Sequence, residues 1–144
     1  MFGSEPSHSA KIALENFKKN NVKHIIELGA GLGRDTIFFA KNSIKVTALD
    51  YSPTAVEIIK NKSNSLGLSD FIEVQTYDLR QKLNFTDNSF DGCYSHMLYC
   101  MAFTYSELEN LNTEVCRVLN KDSLNIYTVR NHSDADYKKG THRG

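Results

Sequence analysis

The chain has 144 residues, with 17 basic side chains against 17 acidic ones and 40% hydrophobic residues. This length suits one domain with one core, residues 1–144, and the cancelling charge gives no bulk attraction to nucleic acid or to anionic lipid. No apolar run approaches the roughly 20 residues of a membrane span, residues 1–9 do not read as a signal peptide, and three cysteines without metal spacing suit a reducing cytoplasm.

In chain order, helix and strand patterns alternate. Ser7 or Ser9 can cap a first helix whose apolar stripe is Ile12, Ala13, Leu14 and Phe17. Asn20 and Asn21 end it, and residues 22–27 read as a first strand. A glycine turn follows, then a second helix over 33–42 with Ile37, Phe38 and Ala40 as its apolar residues. Residues 44–49 form a second strand ending at Asp50. Pro53 suits the first position of a third helix, with Ser52 as its cap and Gly67 near its end. A third strand runs over 71–75, and residues 80–89 are polar with only Leu83 and Phe85 to bury. Residues 90–95 make a fourth strand. Thr104 with Glu107, or Ser106 with Glu109, can form a capping box. The helix it opens has Leu108, Leu111, Val115, Val118 and Leu119 on one face. Residues 124–129 read as a fifth strand, and residues 131–144 show no periodicity. Strands separated by helices pair in parallel through right-handed crossovers. The expected architecture is therefore a three-layer α/β/α sandwich around an open, mostly parallel sheet of about five strands. Ligands of such sheets bind beyond the carboxyl ends of the strands.

The polar residues that carry chemistry fall at those ends. The first set is Glu27-Leu28-Gly29-Ala30-Gly31-Leu32-Gly33-Arg34-Asp35. Its glycines permit a tight turn and close approach of a ligand to the backbone. A dinucleotide fingerprint needs G-x-G-x-x-G with a pyrophosphate at the helix start. Here Arg34 holds the position of the last glycine, and Glu27 would repel a pyrophosphate while suiting an ammonium. Asp50 can accept both hydroxyls of a ribose, its alternative being a helix-capping role, and Tyr51 can lay its ring on a purine. Asp78 can accept the exocyclic amine of an adenine, with the Leu79 amide at a ring nitrogen. Ser95 and His96 close the fourth strand. His96 is the candidate general base, its alternative being to shape the pocket. Asp91, at the strand's other end, reads as structural. Cys93 and Cys100 read as apolar filler.

Together, Glu27 to Gly33, Leu49-Asp50-Tyr51-Ser52, Tyr77-Asp78-Leu79 and Phe90-Asp91-Gly92 resemble the class I S-adenosylmethionine-dependent methyltransferases, over residues 10–129. The resemblance implies a Rossmann-like fold and S-adenosylmethionine as cofactor. It implies Glu27, Gly29, Ala30 and Gly31 at the methionine part, Asp50 and Tyr51 at the ribose and purine, and Asp78 and Leu79 at the adenine. Ser95 and His96 would lie near the sulfonium and the acceptor, and no metal is called for. Gly33-Arg34-Asp35 is similar to the small-molecule, tellurite-resistance-like branch. The acceptor would be a small molecule, methylated by in-line displacement without an assigned catalytic residue. The family's sheet usually continues past its fifth strand with a reversed hairpin. Residues 130–144 form a polar tail that cannot supply one, so the fifth strand is expected as an open edge that invites a homodimer. Two other functions remain: a non-catalytic S-adenosylmethionine-binding module, and a nicotinamide-dependent oxidoreductase.

Overall fold

A computed structural model describes residues 4–135 and 139. The polar tail beyond Ala135, Lys139 excepted, lies outside the described residues. Helix α1 (His8–Lys19) begins at Ser7, whose side chain accepts the Ala10 N–H, and ends on Asn20. Strand β1 (His24–Leu28) leads through the glycine turn into α2 (Arg34–Lys41). Strand β2 (Lys45–Asp50) leads into α3 (Pro53–Ser65), with Ser52 as cap and Pro53 in the first turn. Strands β3 (Ile72–Thr76) and β4 (Phe90–Ser95) flank the polar stretch. A 3-10 turn (Leu98–Cys100) precedes α4 (Tyr105–Val118), whose capping box is the Thr104–Glu107 pair. Strand β5 (Leu119–Tyr127) closes the described order.

The five strands lie in the order β3-β2-β1-β4-β5, every neighbouring pair parallel. This is the open, Rossmann-like sheet that the helix–strand alternation implied. Successive residues of a strand point to opposite faces, so the sheet carries two separate cores. On one face Ile25, Val46, Ala48 and Tyr94 pack against Ala13 and Phe17 of α1, Phe39 of α2 and Val56 and Ile59 of α3. On the other, Ile26, Leu28, Leu49 and Cys93 pack against Leu111, Val115 and Val118 of α4 and against Leu79 and Leu83. Leu83 lets the polar stretch cover sheet.

Several local expectations shift. Strand β5 begins at Leu119, directly at the end of α4, not at residue 124, and it ends at Tyr127. Leu119 pairs with Phe90, and the ladder then slips before Gly92 meets Leu124. The polar residues between them, with Asp122 at φ 63°, form the irregularity. Phe39, fully buried, is the main core residue of α2, whereas Ile37 and Phe38 are half-buried. Ile12 faces solvent. Asp91 is structural, accepting from the Lys23 and His24 amides at 3.1 Å and from Asn120 Nδ2 at 2.9 Å. It ties together the amino ends of β1, β4 and β5.

Strand order reverses between β1 and β4, and their carboxyl ends frame the crevice where the glycine turn sits. Gly33, at φ +78°, caps α2 against α3, and a Cβ there would stand 2.6 Å from Ile59 Cγ1. Gly33→Ala combines an unfavourable left-handed backbone with overpacking, and should lower stability by about 2–4 kcal/mol in urea unfolding.

Candidate functional site

Two recesses adjoin at the switch point. The larger, about 720 Å³, is lined by Gly29, Gly31, Asp50, Tyr51, Tyr77, Asp78, Leu79, Arg80 and His96, and by an apolar wall of Met97, Leu98, Met101, Ala102 and Phe103. The smaller, about 240 Å³, is lined by Glu27, Gly29, Ala30, Gly31, Leu32, Arg34, Asp35 and His96. Gly29, Gly31 and His96 are common to both. The structure thus brings together the acids at the ends of three strands, the glycine turn and His96. Ser95 is fully buried and lines neither recess, and its hydroxyl has no hydrogen-bond partner among the described residues.

The glycine turn is pinned from β2. The Leu49 carbonyl accepts the Gly29 and Ala30 N–H groups at 2.8 and 3.1 Å. Asp50 Oδ2 accepts the Gly31 N–H at 2.8 Å, while Oδ1 accepts the Ser52 N–H at 2.9 Å. A carboxylate has about four acceptor positions, so Asp50 retains capacity for further donors. Gly31, at φ +57°, would show an added Cβ nothing within 4 Å, so this part of the turn faces open space rather than packed protein.

Asp78 is more heavily engaged. Its oxygens accept Nε and Nη2 of Arg80 at 2.9 and 2.8 Å and the Arg80 N–H at 3.0 Å. These bonds hold its carboxyl below the usual carboxylate range. The guanidinium also stands 5.9 Å from the centre of the exposed Tyr51 ring. Sequence reasoning missed Arg80, although an arginine two residues after an acid in a turn signals such a pair.

Two buried acids dominate the smaller recess. Glu27 accepts the Thr36 hydroxyl at 2.5 Å. Burial pushes its carboxyl up to about 8 against the pull of that bond, with the nearby Asp35 and Asp50 adding to the rise. Asp35, also missed from sequence, accepts the Ser7 N–H at 2.8 Å, the Ser7 hydroxyl at 2.7 Å and the Tyr94 hydroxyl at 2.8 Å. Its signal was indirect: an acid in the first turn of α2, with a phenol, Tyr94, inside a strand. His96 is held through Nδ1, which lies 3.0 Å from both Ser9 Oγ and Thr128 Oγ1. Met97 follows in a left-handed conformation, φ 59°, with its N–H on Thr128 Oγ1 at 2.8 Å. Cys93 is fully buried, and burial raises its thiol well above the ordinary range, as suits core filler.

A family model described as a methyltransferase domain matches residues 25–122. The chain belongs to the methyltransferase domain family. It is 29% identical over 96 residues to sterol 4-C-methyltransferase strm-1 of Caenorhabditis elegans, covering 67% of this chain and 28% of that protein. Among solved structures, the [4+2]-cyclase SpnF matches with a TM-score of 0.67 at 21% identity, covering 80% of this chain and 43% of that one. A geranyl diphosphate methyltransferase solved in complex with SAM matches with a TM-score of 0.69 at 15% identity, covering 82% of this chain and 47% of that one. The chain therefore spans less than half the length of each of these relatives. The structural likeness carries the fold. The cyclase is a reminder that one fold serves several chemistries.

Glu27 makes stability depend on pH in a definite direction. The folded chain keeps a proton on Glu27 up to about 8, whereas the ordinary value is 4.5. Between these values the folded state binds more protons, so stability falls as pH rises, by up to ~1.4 kcal/mol per pH unit. Urea unfolding across this window should show that decline, and Glu27→Gln should flatten it.

Proposed function

We propose that this chain binds S-adenosylmethionine across the two recesses and transfers its methyl group to a small-molecule acceptor. The observation that carries the reading is the pairing of an acid-floored recess with an apolar, acid-rimmed one, on either side of the same glycine turn. The residues fit such a ligand chemically. Gly31 leaves room for close approach, Asp50 has free acceptor positions for ribose hydroxyls, and Glu27 gives a buried carboxyl for an ammonium. Tyr51 and Leu79 offer faces for a purine. One acceptor position on Asp78 remains for the exocyclic amine beside the bonds from Arg80. Ser95 closes the adjoining strand, buried behind the recesses, and its hydroxyl has no partner among the described residues. The ligand supplies a methyl group already activated on a sulfonium. The protein's own part is then to hold the reactants in line and exclude water. The apolar wall from Met97 to Phe103 suits an acceptor of low polarity, in keeping with the sterol named in one of the relatives.

The nicotinamide reading is disfavoured by the glycine spacing, with Arg34 where a dinucleotide turn has its last glycine. The non-catalytic module remains the second reading, supported by the Asp78–Arg80 pair that occupies much of the adenine end. Calorimetric titration should show binding of S-adenosylmethionine and S-adenosylhomocysteine and none of NAD; NAD alone binding would overturn the proposal. Methyl transfer from labelled cofactor into a cell extract separates enzyme from module. Two signatures should accompany binding. Gly31→Ala should weaken it about tenfold or more while lowering stability by only about 1 kcal/mol. Near neutral pH, binding should release a proton as Glu27 ionises against the ammonium, and Glu27→Gln should lose that release.

We also propose that two copies meet along β5, which among the described residues pairs with β4 alone and exposes Tyr127. Native mass measurement at high micromolar concentration should show a dimer, and a clean monomer there would sink the idea.

A further inference from the structure

We propose that Asp35, Tyr94 and Ser9 form a hydrogen-bonded relay that fixes the tautomer of His96, so that its Nε2 takes the proton of an acceptor that must lose one. This rests on the methyltransferase reading and deepens it. An ionised carboxylate only accepts, so Tyr94 Oη and Ser7 Oγ both give their protons to Asp35 Oδ2, at 2.8 and 2.7 Å. Burial holds the Tyr94 hydroxyl well above its ordinary range, so it stays a donor. Tyr94 oxygen can then only accept, as can Ser7 oxygen. Ser9 Oγ lies 3.0 Å from each of them and has one proton to share between them. With that proton so placed, Ser9 oxygen must accept across its 3.0 Å contact with His96 Nδ1.

This assigns His96 the Nδ1–H tautomer, with its N–H shared with Thr128 Oγ1 at 3.0 Å, the Thr128 hydroxyl proton then pointing away from the ring. Thr128 oxygen accepts in the same way from the Met97 N–H. This arrangement leaves one oxygen pair without a proton, Ser7 Oγ and Tyr94 Oη at 3.1 Å, whereas a Ser9 proton given to the ring would leave three. The tautomer leaves the lone pair on Nε2, which has no partner among the described residues. His96 is the side chain that, with the glycine turn, borders both recesses.

The step balances. The acceptor's lone pair forms the bond to the methyl carbon, and the carbon–sulfur bond breaks with its electron pair left on sulfur. The acceptor's proton goes to Nε2. The resulting imidazolium is stabilised through Ser9 and Tyr94 by the Asp35 carboxylate, then gives its proton to water. Ser9, Tyr94 and Asp35 are positioning residues in this scheme.

The test begins on the chain alone. Nitrogen-15 NMR of the imidazole rings, at a pH where they are neutral and with His96→Gln to assign the signal, should show protonated Nδ1 and bare Nε2. Ser9→Ala, which leaves the Ser7 cap intact, should lose that preference, and Tyr94→Phe should weaken it. A wild-type ring with its proton mainly on Nε2 overturns the relay. Calorimetry and labelled methyl transfer into a cell extract then test the base. Ser9→Ala should keep S-adenosylmethionine affinity within about twofold, while His96→Gln should slow transfer roughly 10²-fold or more. Binding and transfer by wild type with an unchanged rate in His96→Gln overturn the base and leave the methyltransferase reading standing. Failure of wild type to bind S-adenosylmethionine removes that reading and the base together, while the tautomer result still reports on the relay.

Discussion

A carboxylate taken out of water must find its donors inside the protein, and at Asp35 that requirement organises the molecule around the site. Its donors come from the N-terminal cap of α1, from Tyr94 of β4 and from the adjoining Arg34. Three elements distant in sequence are thereby held at one point beside the glycine turn: α1 through Ser7, α2 through Asp35 itself, and β4 through Tyr94. The same cluster reaches His96 through Ser9. Anchoring the first helix and orienting the ring at the recess edge are thus one structural fact.

Glu27 is handled in the opposite way. It lies as deep as Asp35 but receives one side-chain donor, from Thr36. One hydrogen bond does not offset the desolvation of a fully buried carboxylate, so the neutral form persists to about 8. An acid left short of donors at the floor of a recess is suited to a cation brought by a ligand. Asp50 and Asp78 are more open to solvent and are met by backbone or guanidinium donors. Four acids within one crevice therefore have four different environments.

Much of the fold was legible because the relevant forces are local or periodic. Caps at Ser7, Ser52 and Thr104 follow from short-range hydrogen bonds, and the structure places each at a helix start. Residues 90–95 follow the turn-forming run Asp87-Asn88-Ser89 and emerge as β4 with those limits. The start of β5 was not legible. Asn120 to Ser123 are polar and precede the expected strand, whereas Leu119 ahead of them is drawn into the ladder by pairing with Phe90, some thirty residues earlier. Phe39 rather than Phe38 fills the core for a similar reason: its ring meets Phe17 and Tyr94, from other elements.

The sequence by itself determined the alternation of elements, the glycine turn and the placing of acids at strand ends, because each depends on neighbours a few residues away. Only the tertiary structure decided which acid is short of donors, which is well supplied, and which arginine covers the site. It also decided which nitrogen of His96 is held by neighbouring hydroxyls. These properties depend on partners as far apart as Ser7 and Asp35, Asp35 and Tyr94, or His96 and Thr128. Burial and hydrogen bonding at such distances follow from packing, which a one-dimensional pattern does not encode.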